Sequence, residues 1–212
     1  MSDQRAERRR RILDATAELL TGTPVTRLSI GDIGRAVGLA TSNVLRYFES
    51  REAVLLDLLD EQQSGWADSV DARIEPSEAT LPSRAAELAR VIATSLDERP
   101  VLRELLAARD AVLERDVSVH VLLRHRYAAA DVEESLVPVV RRLLPELDPH
   151  RAHRLVVSAL LLVPAVQPLA HPSRSLLAVF EADPQLAREQ RGFAESLARL
   201  LEPLALGLVR GD

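Results

Sequence analysis

The chain has 212 residues, 47% hydrophobic and 28% charged, with aromatics at 3% and a formal net charge of −5; this is enough chain for a substantial core, in one large or two small domains, with the composition of an ordinary soluble globular protein. It contains no cysteine, which excludes disulfides, thiolate metal sites and a cysteine nucleophile. Leu, Ala, Val, Arg and Glu dominate, a mixture that favours helix over strand, and all 27 basic residues are arginine, which we read as the codon bias of a GC-rich genome.

In chain order, residues 1 to about 6 read as an arm that is disordered or folds only against DNA. The N-terminus, MSDQRAERRRR, is no signal peptide, so a cytoplasmic location is expected. The run Arg8-Arg9-Arg10-Arg11 opens a helix whose apolar stripe runs through Ile12, Leu13, Thr16, Leu19 and Leu20. Arginines at a helix N-terminus oppose its dipole; a polyanionic partner is one reason to retain them, a solubilising terminus another. Gly22-Thr23-Pro24 ends this helix.

The stretch Ile30 to Phe48, IGDIGRAVGLATSNVLRYF, organises the rest. Ser29 is a good N-cap, Ile33 and Val37 recur four apart on one face, and Gly38 stands where the chain must leave the helix through a left-handed conformation. Gly34 is small where a second helix has to cross closely. Leu39, Val44 and Phe48 can turn into a shared core, which leaves Thr41, Ser42, Asn43 and Arg46 outward. This is a helix-turn-helix, whose second helix fits a DNA major groove. Arg46 can grip guanine O6 and N7, Asn43 can pair bidentately with adenine, Thr41 and Ser42 can serve base or phosphate, and Leu45 can touch a thymine methyl. Ser29, Tyr47 and Arg51 are better placed for phosphates. Charge agrees once the chain is divided: residues 1 to 51 carry nine arginines against six acids, the rest eighteen against twenty-six, a basic head on an acidic body.

From about Arg9 to Leu56, through ILDATAELL and IGDIGRAVGLATSNVLRYFESREAVL, the chain resembles the N-terminal domain of the tetracycline-repressor (TetR) family of bacterial regulators. The pair Tyr47-Phe48, with Ser50-Arg51-Glu52 opening the next helix, is the most diagnostic part. Leu45 stands where the family usually has a tyrosine, and Ser42 where it favours glycine. The resemblance implies a three-helix DNA-binding domain at 1–52 and a body at 53–212 that dimerises and senses a ligand. The whole is then all-α, with about nine helices.

The body reads as amphipathic helices punctuated by proline. With Ser50 as N-cap, a fourth helix runs from about Arg51 to Ile74, carrying Leu55, Leu59, Trp66, Val70 and Ile74 near one face; Pro76 and Pro82 bracket a loop. Ala85, Leu88, Ala89, Ile92 and Leu96 make the next stripe, then Leu102, Leu105, Leu106 and Leu113. A longer helix covers about Ser118 to Leu144, which Pro138 should kink or divide. Asp148-Pro149 starts another, nearly continuously apolar from Leu155 to Val166 and read as core or interface because Pro164 interrupts it as a membrane span. Asp183-Pro184 should start the last helix, with Pro203 kinking or ending it. Its seam, Phe193, Leu197, Leu200, Leu201, Leu204 and Leu208, is the expected dimer interface, packing with 151–168 as a four-helix bundle across the dyad.

An effector is expected to act through the fourth helix, near Trp66, with Arg103, Asp110, His120, Arg124 and Tyr127 as polar points in a largely apolar cavity suited to a small hydrophobic or amphipathic molecule. Catalytic signatures are poor. His150 and His153 lie three apart without an HExxH pattern, His120 and His125 diverge on a helix, and neither a phosphate loop nor a GxSxG elbow is present. No metal, cofactor or enzymatic site is therefore expected. The reading is a homodimeric repressor of a double-stranded, palindromic DNA operator, relieved by a ligand. The alternatives are a DNA-binding regulator without effector, or a helical enzyme or carrier with a non-functional helix-turn-helix.

Overall fold

The first helix, α1 (Ser2–Leu20), forms because Ile12, Leu13, Thr16 and Leu20 recur at helical spacing and are all buried. The lone polar member, Thr16, returns its hydroxyl to the Ile12 carbonyl at 2.7 Å, so its burial leaves nothing unpaired. The computed structural model describes residues 2–170, 172–187 and 191–211. Over these the chain forms α2 (Ile30–Ala36), α3 (Thr41–Val44), α4 (Arg51–Asp71), α5 (Leu81–Asp97), α6 (Pro100–Ala108), a π-helical turn (Arg109–Leu113), α7 (Val119–Leu143), α8 (Pro149–Ala170), α9 (Arg174–Ala182) and α10 (Phe193–Arg210). The chain is all-helical, with ten α-helices and no strand among the described residues.

Two compact units share it: Met1–Gly65 with Pro100–Val132, and Trp66–Arg99 with Glu133–Asp212. In the first, α1 packs on α2 and α2 on α3. Its buried side chains include Ile33, Val44 and Phe48 of the helix-turn-helix, Val54 to Leu56 of α4, and Leu102, Leu105 and Leu106 of α6. In the second, α10 lies against α5 and α8. The stripe Ala85, Leu88, Ala89, Ile92 and Leu96 is buried as its spacing requires, as are Leu155, Val156, Ala159, Leu160 and Val163 of α8. Arginines close this unit by capping carbonyls: Arg84 donates to the Leu143 carbonyl at 2.6 Å and pairs with Glu146, and Arg142 donates to the Ile74 carbonyl at 2.8 Å and pairs with Asp71.

Several boundaries differ from the sequence reading. Residues 2–6, expected as an arm that is disordered or folds only against DNA, are the opening turns of α1; residue 1 lies outside the described residues. Pro138, Pro164 and Pro203 all sit inside continuous helices. A proline removes one donor, and the faces buried on either side hold each helix together across it. Asp148-Pro149 does start α8, Asp148 accepting the Arg151 N–H at 2.8 Å. Asp183-Pro184 does not start the last helix. Asp183 is the C-cap of an unanticipated α9, whose N-cap Ser173 accepts the Leu176 N–H at 3.2 Å, and α10 begins only at Phe193; of the stretch between, residues 188–190 lie outside the described residues. The expected seam on α10 is divided: Phe193, Leu197, Leu201 and Leu208 are buried in the chain's own core, Leu204 is half-buried, and Leu200 is 45% exposed.

Candidate nucleic-acid interface

Two glycines make the helix-turn-helix possible. Gly34 is buried where α2 meets the chain entering α3, and a Cβ there would lie 2.7 Å from the Leu39 carbonyl oxygen, so only glycine fits without moving backbone. Gly38 has φ +68°, the left-handed conformation that redirects the chain between the helices. Upstream, Ser29 and Asp32 form a reciprocal capping box: the Asp32 N–H donates to Ser29 Oγ at 3.2 Å, and the Ser29 N–H to the Asp32 carboxylate at 2.9 Å. The Ser29 hydroxyl and N–H, with Arg35 adding to them, hold the Asp32 carboxyl below its ordinary range.

This frame leaves Thr41, Ser42 and Asn43 exposed on α3 while Val44 anchors it from within. Their side chains bond to nothing within the described chain, so their donors and acceptors are free for an external partner. Leu45 is 44% exposed, as a methyl-contacting residue must be. Arg46 lies beyond the end of α3 and is also exposed, lining an open cleft with Tyr47 and residues of α1.

The three residues expected at phosphates divide differently. Arg51 is turned inward, donating to the Leu28 carbonyl at 3.1 Å and pairing with Glu52, and so fastens the loop before α2. The Ser29 hydroxyl is engaged in its cap. Tyr47 is half-buried and faces the cleft.

Sequence reasoning passes over Arg9, which fixes the turn after α3. Its guanidinium stacks 4.1 Å from the centre of the Phe48 ring, donates to the Tyr47 carbonyl at 2.5 Å and pairs with Asp57 of α4. Asp57 also binds Arg124 of α7, so one carboxylate joins a body helix to the arginine that holds the recognition turn. The available signal is a helical one: successive arginines in a run of four point 100° apart, so one of them must face inward.

The residues expected at an effector do not form one set. His120, Arg124 and Tyr127 line a cleft of about 520 Å³ with Leu123, Ala128 and Asp131. Trp66 is buried in the second unit, its indole N–H donating to Ser95 Oγ at 2.9 Å. Arg103 is buried on α6, and Asp110 pairs with Arg109, whose hydrogen bond holds its carboxyl below the ordinary range. A buried polar cluster stands nearby: His125 Nδ1 meets Asp60, its Nε2 lies 3.7 Å from Glu114, and burial raises the Asp60 carboxyl above its ordinary range. His153 lies 3.4 Å from Glu133, with His150 exposed.

Against known proteins, residues 12–58 match the family model described as bacterial regulatory proteins, tetR family, and residues 60–211 match the tetracyclin repressor-like C-terminal domain. A TetR transcriptional regulator from Rhodococcus sp. RHA1 superposes with a TM-score of 0.54 at 17% identity, over 95% of this chain and 96% of that one. The fatty acid degradation regulator FadR from Bacillus halodurans gives 0.51 at 17% identity, over 95% and 94%. At such identity these two structures bear on the fold alone. No curated protein sequence matches the chain.

Proposed function

The chain belongs to the tetracycline-repressor (TetR) family of DNA-binding transcriptional regulators, and from that premise we propose that it is a homodimeric repressor of a palindromic operator, released by a small hydrophobic or amphipathic molecule. The observation that carries the reading is the exposed row Thr41, Ser42 and Asn43 on a helix whose other side is locked by Val44 and the Gly34 crossing. A rigid helix bearing unpaired amide and hydroxyl groups is what base-edge readout requires.

Two-fold pairing is supported by α8 and α10, which pack together and still leave Leu161 and Leu169 (56% and 60%) and Leu200 exposed. By length and composition alone α8 could cross a bilayer; in a regulator of this family the apolar face fits a second copy better. One recognition helix reads few base pairs, and a dimer on an inverted repeat supplies the missing affinity.

Effector release is supported by the cleft at His120, Arg124 and Tyr127, where Leu123 and Ala128 supply apolar surface beside the polar groups. A ligand that draws Arg124 away from Asp57 alters the carboxylate on which Arg9, and through it the Tyr47–Phe48 turn, depends. A tenfold loss of DNA affinity needs only about 1.4 kcal/mol of such coupling.

Sequencing duplex fragments selected by the purified protein tests the reading. We expect an inverted repeat, on which Asn43→Ala costs about 1–3 kcal/mol and relaxes base preference. A lipophilic library is then screened for release of the selected duplex. Retention in the presence of every compound leaves a regulator without effector, and failure to select any sequence removes the repressor reading.

A further inference from the structure

The four consecutive arginines of α1 go to three different places. Arg9 turns inward to Asp57 and Phe48. Arg10 points to solvent and reaches Asp14 at 3.9 Å, one turn along its own helix. Arg8 and Arg11 face a third way, on the stripe that begins at Gln4, with Arg5 beside them; together they line an open cleft of about 620 Å³ whose other wall is Arg46 and Tyr47. Glu7 is the only carboxylate among the lining residues. Neither Arg5, Arg8, Arg11 nor Arg46 forms an ion pair within the described chain, although Arg8 is half-buried. Four guanidinium groups lining one cleft with a single carboxylate among them leave it net positive, and a net positive cleft favours an anion brought from outside.

We propose that this cleft seats the sugar-phosphate backbone of the bound duplex. Arg5, Arg8 and Arg11 form a second DNA-contacting element beside the recognition helix, and Arg46 grips phosphate where its side-chain chemistry alone suggests guanine. The inference rests on the DNA-binding reading and deepens it: base discrimination is left to Thr41, Ser42 and Asn43, and the anchoring is transferred to α1. It also accounts for where phosphate contacts come from when Arg51 and Ser29 are occupied within the fold. A guanidinium aimed at a backbone phosphate fixes the position of the protein on DNA and carries no sequence information.

The test is the salt dependence of affinity, measured with the full-length protein on its selected duplex and on an unrelated one. Neutralising a phosphate releases counterions, so the slope of log K against log salt flattens by about 0.9 for each phosphate that a bound subunit no longer neutralises. Arg8→Gln with Arg11→Gln should flatten the slope on that scale and weaken both duplexes by the same factor. Arg46→Gln should do the same singly, with base preference intact. Arg10→Gln removes one charge from the same helix, next to Arg11, and should leave the slope unchanged. Unaltered thermal melting of each variant shows that the fold is kept. An unchanged slope for the double variant overturns the proposal, as does an equal flattening by Arg10→Gln, and relaxed base preference in Arg46→Gln returns that residue to the groove. A wild-type protein that retains no duplex even at low salt instead overturns the DNA-binding reading itself.

Discussion

Gly34 shows how narrow the tolerance of the recognition unit is. Its missing side chain lets the Leu39 carbonyl approach to where a Cβ would stand 2.7 Å away, and the atom in the way is backbone. Gly34→Ala should therefore destabilise by about 1–3 kcal/mol, the range for overpacking a filled site. Urea unfolding measures it; a neutral result means that α3 shifts freely, and the tight crossing is then no constraint. The role of Gly34 is legible from the sequence because a short-range rule governs it, as are the N-cap at Ser29 and the left-handed Gly38. Arg9 is not. Its partners Tyr47, Phe48 and Asp57 stand at least 38 residues along the chain, and a run of arginines records charge without saying which member finds a carboxylate. The inward turn of Arg51 is hidden for the same reason, since the Leu28 carbonyl it caps carries no sequence signal.

Among whole helices, periodicity reports which face is apolar and leaves open what covers it. The α10 stripe of Phe193, Leu197, Leu201 and Leu208 reads as a dimer seam; the chain itself covers those side chains, with α5 and α8 as the packing partners of the helix. Two substitutions separate the roles. Leu197→Ala should cost about 2–5 kcal/mol of unfolding free energy, as core truncations do. Leu161→Asp combined with Leu200→Asp, on exposed positions of α8 and α10, should leave helix content and cooperative unfolding intact while sedimentation shows monomer. A double variant that remains a folded dimer moves the interface off these two faces. Prolines mislead for a different reason. The penalty of about 3 kcal/mol for an interior proline is comparable to burying one or two leucines, about 1.5–3 kcal/mol each, and α8 buries several apolar side chains around Pro164. With α9 the difficulty is reversed: Leu176, Leu177 and Phe180 recur at helical spacing, but the helix is short, lies before the Asp183-Pro184 start signature and buries no side chain.

At the scale of the whole molecule, the surface is fastened by arginine and carboxylate, which sets how stability responds to acid. Glu146 and Glu98 are held below their ordinary value of 4.5 by hydrogen bonds from Arg84 and Arg73, and Asp148 below 3.8 by the Arg151 N–H. Each contributes stability that is complete above the unfolded-state value and is lost as pH falls through the lower folded-state one. Asp60 runs the other way. Burial raises it above 3.8, so its ionised form burdens the fold, and protonating it as pH falls through the raised folded-state value returns stability, opposite in sign to the loss at the lowered carboxylates. Urea unfolding across pH should therefore show the wild type gaining on an Asp60→Asn variant as pH drops toward the carboxylate range, with both declining below it. Parallel profiles would mean that Asp60 keeps an ordinary titration in the fold.

The division of the arginine run has a mutational corollary that composition hides. Because α1 advances 100° per residue, what the run encodes is angular phase. Inserting one alanine between Arg8 and Arg9 changes neither charge nor helical propensity. It leaves Arg9 on Asp57 and swings Gln4, Arg5 and Arg8 out of line with Arg11. The same insertion among residues 21–24, where the chain is turn and coil, rotates nothing. Length variation along this protein is thus expected to be tolerated in its loops and excluded from the first three turns, even where every residue gained or lost is an arginine.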